Sequence, residues 1–172
     1  EQLAEFTALP NDRGPMNWGF VSRQDDLLIG SSVAPSAAFT GYWGNEFWYD
    51  AKDGENAKKV ASDILFAFDS ETGIERWRYD SALVINPTIA ISDEKIVFAE
   101  CRSARLRDAQ SRRLDGDELW DNLFIVALDK HTGKLLWESP AKPLAGVSAM
   151  YGVSTRDQYL LETSAEGEFA VY

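Results

Sequence analysis

Ala67-Phe68-Asp69-Ser70-Glu71-Thr72-Gly73-Ile74-Glu75-Arg76-Trp77 returns sixty residues later as Ala127-Leu128-Asp129-Lys130-His131-Thr132-Gly133-Lys134-Leu135-Leu136-Trp137. Five of the eleven positions are identical, where average residue usage gives about one. Each copy reads as a β-hairpin. Leu65 to Phe68 and Phe124 to Leu128 are short apolar strands. Asp69 and Asp129 open a tight turn whose carboxylate accepts backbone N–H bonds, and Thr72 and Thr132 add a second local bond. Gly73 and Gly133 supply the positive φ that such turns require. The returning strands end on Trp77 and Trp137, which are placed to dock one sheet on the next. Truncating either to Ala is expected to cost about 3–5 kcal/mol where the ring is buried.

Working outward, a second pattern precedes each hairpin. Gly19-Phe20-Val21-Ser22 leads to Leu27-Leu28-Ile29-Gly30, and Thr88-Ile89-Ala90-Ile91-Ser92 leads to Ile96-Val97-Phe98-Ala99. Tyr151-Gly152-Val153-Ser154 leads to Tyr159-Leu160-Leu161, with Glu166 to Tyr172 opening a third inner hairpin. Each unit then holds four short antiparallel strands: residues 17–79 with an insertion at 32–63, residues 86–138 with an insertion at 102–122, and an incomplete unit at 148–172. The expected fold is all-β. Four-stranded units repeated along a chain mark a β-propeller, here about two and three-quarter blades. A β-sandwich is the alternative, and the repeated Asp, Thr, Gly and Trp favour blades. A short helix fits between Asp50 and Asp63.

Composition agrees with a folded chain. The 172 residues are 45% hydrophobic and 26% charged, unlike a disordered segment, and no run reaches the roughly 18 apolar residues of a membrane helix. Lys plus Arg is 17 against 28 Asp plus Glu, a net charge of -11, which repels nucleic acid and anionic lipid. Cys101 is the single cysteine, so an intrachain disulfide framework is excluded, and its apolar neighbours point to a buried thiol. The chain opens at Glu1 without methionine and stops at Tyr172 inside a strand; both ends read as cuts in a longer protein.

The repeat resembles the pyrroloquinoline-quinone-type (PQQ-like) β-propeller family, whose units run apolar–Ala–Leu–Asp, two variable positions, Thr–Gly, three variable positions, Trp. Residues 17–31, 64–101 and 123–172 carry the resemblance, with Asn86-Pro87 before a strand and Gly30-Ser31 after one. It implies a ring of seven or eight blades, of which this chain supplies part, and an exported, periplasmic or cell-envelope setting. The family holds quinoprotein dehydrogenases, outer-membrane assembly lipoproteins and many proteins that bind no quinone. The dehydrogenases resemble one another in an adjacent Cys–Cys pair, a catalytic Asp and Glu, Asn and Asp ligands for calcium. A lone Cys101 departs from that pattern, so no cofactor is expected, with PQQ and calcium as the alternative.

Both insertions are expected on one side of the disc, where loops on a rigid scaffold carry function. The first holds Phe39, Tyr42, Trp43, Phe47, Trp48 and Tyr49. These rings form either a ligand or partner surface, stacking on a sugar, base or cation, or a local mini-core. The second holds Arg102, Arg105, Arg107, Arg112 and Arg113. They either build an anion site or pair internally with Asp108, Asp115, Asp117, Glu118, Asp121 or the acidic first insertion.

Catalytic signatures are sparse. His131, the one histidine, sits at a variable turn position, which gives no reason for a triad. There is no Walker motif and no Gly-rich dinucleotide fingerprint. Asp115-Gly116-Asp117-Glu118 lacks the ligand spacing of an EF-hand loop. The expected function is a non-catalytic ligand- or protein-binding scaffold. Its partner is a protein or a second copy at open blade faces. Part of a quinoprotein oxidoreductase and a carbohydrate-binding surface are the alternatives.

Overall fold

The computed structural model describes residues 5–37, 59–110, 112–114, 117–141, 151–154, 157–162 and 169–172. β1 (Asn17–Gln24) turns through Asp25-Asp26 into β2 (Leu27–Val33). A short strand, β3 (Lys59–Ser62), precedes β4 (Ile64–Asp69), which turns through the repeat into β5 (Glu75–Tyr79). The first sheet has the order β1-β2-β4-β5, with every neighbour antiparallel.

The second unit follows the same plan. β6 (Leu83–Ile85) and β7 (Ala90–Ile91) both run along β8 (Lys95–Cys101). After β9 (Arg113–Leu114), β10 (Leu123–Asp129) pairs with β8 and turns through the second repeat into β11 (Leu135–Pro140). A third sheet of β12 (Tyr151–Ser154), β13 (Tyr159–Glu162) and β14 (Phe169–Val171) has the order β12-β13-β14. The fold is all-β.

The sheets stack face to face in chain order. On β8, Ile96 and Phe98 pack with Ile29, Leu65 and Trp77 of the first sheet. Val97, Ala99 and Cys101 join a core that includes Tyr159 of the third. On β10, Val126 and Leu128 face one way and Ile125 and Ala127 the other. Strand side chains alternate in direction, so both faces of the second sheet are buried. That explains why Ile96-Val97-Phe98-Ala99 is apolar without a break. A two-slab sandwich has no such middle layer.

Several expectations need correction. The second sheet has seven strands, six in the path and one beside it, not four, because both insertions contribute to it. The path is β11-β10-β8-β6-β3-β9, with β7 also on β8. β3 pairs with β6 through Ala61↔Ile85 and with β9 through Lys59↔Leu114. Residues 59–62 are therefore strand rather than helix, since all four are buried between two partners; residues 50–58 lie outside the described part. β6 and β7 form one strand line broken at Asn86–Thr88. Pro87 has no N–H for a ladder, and Thr88 Oγ1 accepts the Ala99 N–H at 2.8 Å instead. The second insertion holds two short helices, α1 (Ala104–Asp108) and α2 (Asp117–Asp121), which sequence reading passed over. Finally, the outer face of the first sheet is not bare. Phe6 and Leu9 cover Phe66 and Phe68.

Candidate interaction site

The two repeat turns superimpose bond for bond. Asp69 Oδ1 accepts the Thr72 N–H at 2.7 Å and the Thr72 hydroxyl at 2.8 Å; Asp129 Oδ1 accepts those of Thr132 at 2.8 and 2.7 Å. Arg76 also pairs with Asp69. The Thr72 N–H, then Arg76, hold the Asp69 carboxyl well below the usual carboxylate range, and the Thr132 hydroxyl leads the same effect on Asp129. Gly73 and Gly133 have φ of +72° and +66°, the left-handed region that disfavours a side chain.

These turns also join sheets. Trp77 is 6% exposed, and its Nε1–H donates to the Lys130 carbonyl of the next turn at 2.9 Å. Its ring lies on Gly133, where a Cβ would stand 2.7 Å from Trp77 Cδ2. The Lys130 side chain is buried and reaches back to Asp25 of the first sheet at 3.1 Å. Trp137 occupies the matching place one sheet on, partly buried against the core shared with Tyr159.

On the insertion side, four of the five arginines are committed, and the Arg113 side chain lies outside the described part. Arg102 donates to Glu100 at 2.7 Å and to Glu138 at 3.1 and 2.6 Å, and lies 3.9 Å from the Phe124 ring centroid. Glu100 is fully buried and also accepts the Tyr79 hydroxyl at 2.7 Å. Burial first, then the Glu100 charge, pushes the Tyr79 hydroxyl far up. Arg105 pairs with Glu118, which also takes the Ser103 hydroxyl. Arg107 donates to the Asp80 and Ser81 carbonyls at 2.7 and 2.9 Å. Arg112 is buried against Asp63 of the first insertion at 2.8 Å. The two insertions thus meet, through β3 with β9 and through this ion pair. Phe39, Tyr42, Trp43, Phe47, Trp48 and Tyr49 lie outside the described residues.

A polar cleft of about 480 Å³ opens beside this region, lined by Asp12, Arg13, Arg78, Asp80, Arg107 and Asp108 among others. Arg13 donates across it to the Ala109 and Arg107 carbonyls at 3.2 and 3.0 Å. The cleft is a seam between the N-terminal segment and α1.

The third sheet has a different character. Val153 pairs with Leu160, and Leu160 with Val171. These three side chains form a cross-strand row on the side away from Tyr159. Val153 is 57% exposed and Val171 52%. Sequence reading expected open faces but did not single out these residues; strand alternation through Tyr151–Ser154 and Phe169–Val171 was the available signal.

Cys101 is buried and its thiol pushed up by burial; among the described residues no three His, Cys, Asp or Glu are grouped to hold a metal. Among the described residues no helix is long and apolar enough to cross a membrane.

No family model matches the chain, and no curated protein matches it. Solved structures similar to it include BamB from Moraxella catarrhalis, at 15% identity and TM-score 0.26, with 89% of this chain and 56% of that one covered. The computationally designed Ika8 protein is similar at 15% identity and TM-score 0.30, with 93% and 58% covered. The chain spans a little over half the length of both, and at such scores neither likeness carries an argument about this one.

Proposed function

We propose that this chain is a protein-binding scaffold of propeller-blade type, which takes another sheet onto the far face of its third sheet. One observation carries the reading: the aligned row Val153–Leu160–Val171, whose two valines are exposed. The corresponding face of the first sheet is buried by the second, and that of the second by the third. The same side of the third sheet meets solvent. Burying one such valine contributes about 1.5–3 kcal/mol, so a ready-made apolar row on a flat sheet favours association. In a solution of the pure protein, the available occupant is a second copy.

Sedimentation velocity across protein and salt concentrations tests this. The net charge of -11 repels copies. Association should therefore strengthen as the screening length falls from about 10 Å at 0.1 M salt to about 3 Å at 1 M. V153D/V171D should sediment as a monomer with unchanged circular dichroism, since both side chains are already half in water. A parent protein that stays monomeric and folded at every concentration and salt overturns the proposal.

A further inference from the structure

We infer that the segment from Glu5 to Gly14 is a stop on sheet stacking. It closes the outer face of the first sheet, so two copies of this chain meet third sheet to third sheet and growth ends at a closed pair; this rests on the association through Val153, Leu160 and Val171 proposed above. Apolar faces stack in this chain, and the second sheet is buried on both sides. The outer face of the first sheet is equally apolar. Ile64, Phe66 and Phe68 of β4 are buried there, with Trp18 and Leu28 packed beside them. What covers them is not a sheet. The Phe6 ring lies 6.0 Å from that of Phe68, centroid to centroid, and Leu9 is buried in the same cluster. Glu5, Thr7, Pro10 and Asp12 are exposed, so the segment turns an apolar face into a largely polar one.

The segment is pinned on both sides of Pro10. The Ser32 hydroxyl donates to the Leu9 carbonyl at 2.8 Å. Asn11 and Gly14 exchange backbone bonds at 3.3 and 3.0 Å, closing a turn from which Arg13 donates to the Arg107 and Ala109 carbonyls at 3.0 and 3.2 Å. These acceptors are uncharged, so salt does not release them. Residues 5–10 form no strand and offer an incoming sheet no edge to extend. Two contacts are then conceivable for the third-sheet row of a free copy. Laid on the first sheet's outer face, it makes a head-to-tail contact that leaves the same two faces open and grows without limit. Laid on its own twin, it makes a two-fold contact that consumes both rows. Leu160 is the middle of the row, so an axis beside it sets Val153 of one copy against Val171 of the other, and the reverse. With the segment in place the first contact is shut and the second is left. Val21, across from Gly30 in the line that leads to Phe66 and 59% exposed, marks the margin that the segment leaves open.

Sedimentation velocity of the full chain in about 1 M salt, where repulsion between copies is screened, tests this. The parent should pass from monomer to pair as concentration rises and then plateau. F6D/L9D sets carboxylates against Phe66 and Phe68 and lifts the segment, so its mass should climb past the pair without a plateau. Adding V153D/V171D to that variant should return a monomer. A short bis-maleimide should join L160C to its own twin across sheets about 10 Å apart, since Cys101, the one natural cysteine, is buried. A parent that grows past the pair, a folded F6D/L9D that halts at it, or a pair in which L160C does not cross-link overturns the stop and leaves the third-sheet association standing. A parent that stays monomeric overturns both. Should F6D/L9D fail to fold, R13A/S32A, which removes two pins and leaves Phe6 and Leu9 unchanged, decides: growth past the pair supports the stop, and a halt at the pair overturns it.

Discussion

Gly133 and Gly73 form a controlled pair. Their φ values are +66° and +72°, so a methyl at either costs the same left-handed strain, about 1–2 kcal/mol. The surroundings differ. At Gly133 the methyl would stand 2.7, 2.8 and 2.9 Å from three Trp77 ring atoms; at Gly73 nothing lies closer than Phe6 Cε1 at 3.5 Å. Trp77 is held on its far side by the first two sheets' core and by its bond to Lys130, so the ring has little room to retreat. Overpacking of this kind adds about 1–3 kcal/mol. G133A should therefore lose about 2–5 kcal/mol and G73A about 1–2. Urea unfolding followed by far-ultraviolet circular dichroism reads the difference, which at a slope of about 1–3 kcal/mol/M is a midpoint gap of roughly 1 M. In a W77L background the ring is gone, and the cost of G133A should fall to that of G73A. Equal costs for the two alanines, or an unchanged G133A cost beside W77L, refute the docking of Trp77 on the turn.

Two further outcomes follow from the charged groups. R112A removes a guanidinium that is 1% exposed and leaves Asp63, itself largely covered, without it. Breaking a buried pair on one side costs about 3–5 kcal/mol, so the thermal midpoint should fall by about 6–20 °C, and D63A/R112A should recover part of that loss. Acid should destabilise the fold through Asp69, Asp129, Glu75, Glu118 and Glu138, whose carboxyls are all held low by their partners. A lowered folded value means stability that is present above the unfolded carboxylate range of about 4 and lost as pH falls below it. Urea midpoints should hold between pH 7 and about 5 and then fall, more shallowly in D69N/D129N; an equal slope in that variant would count against the turn carboxylates as the cause.

The local grammar of the fold was legible because it is written in neighbouring residues. Asp69, Thr72 and Gly73 satisfy one another within a single turn, so their spacing alone identifies it. Trp77 was legible as a docking residue, but not its acceptor, since Lys130 and Gly133 meet it from a separate repeat. β3 and β9 were not legible. Each is short, and each forms only because the other insertion brings it a partner. The arginines posed a choice that sequence could not make: Arg102 is claimed by Glu138, thirty-six positions away, and Arg112 by Asp63, forty-nine away. Phe6 carried no signal at all, since one aromatic in an irregular segment matches no period.

The pairing of β3 with β6 has a mechanical result. β3 runs directly into β4 of the first sheet while its ladder belongs to the second. Peeling one from the other must tear backbone bonds as well as side-chain contacts, and those two layers should melt together. Contact with the third layer, as described, is made by side chains, with the Tyr159 hydroxyl on the Thr88 carbonyl and the apolar core around it. In a stack that couples only nearest neighbours, that layer is free to open first and reclose alone, while the stitched pair behind it keeps its shape as the template.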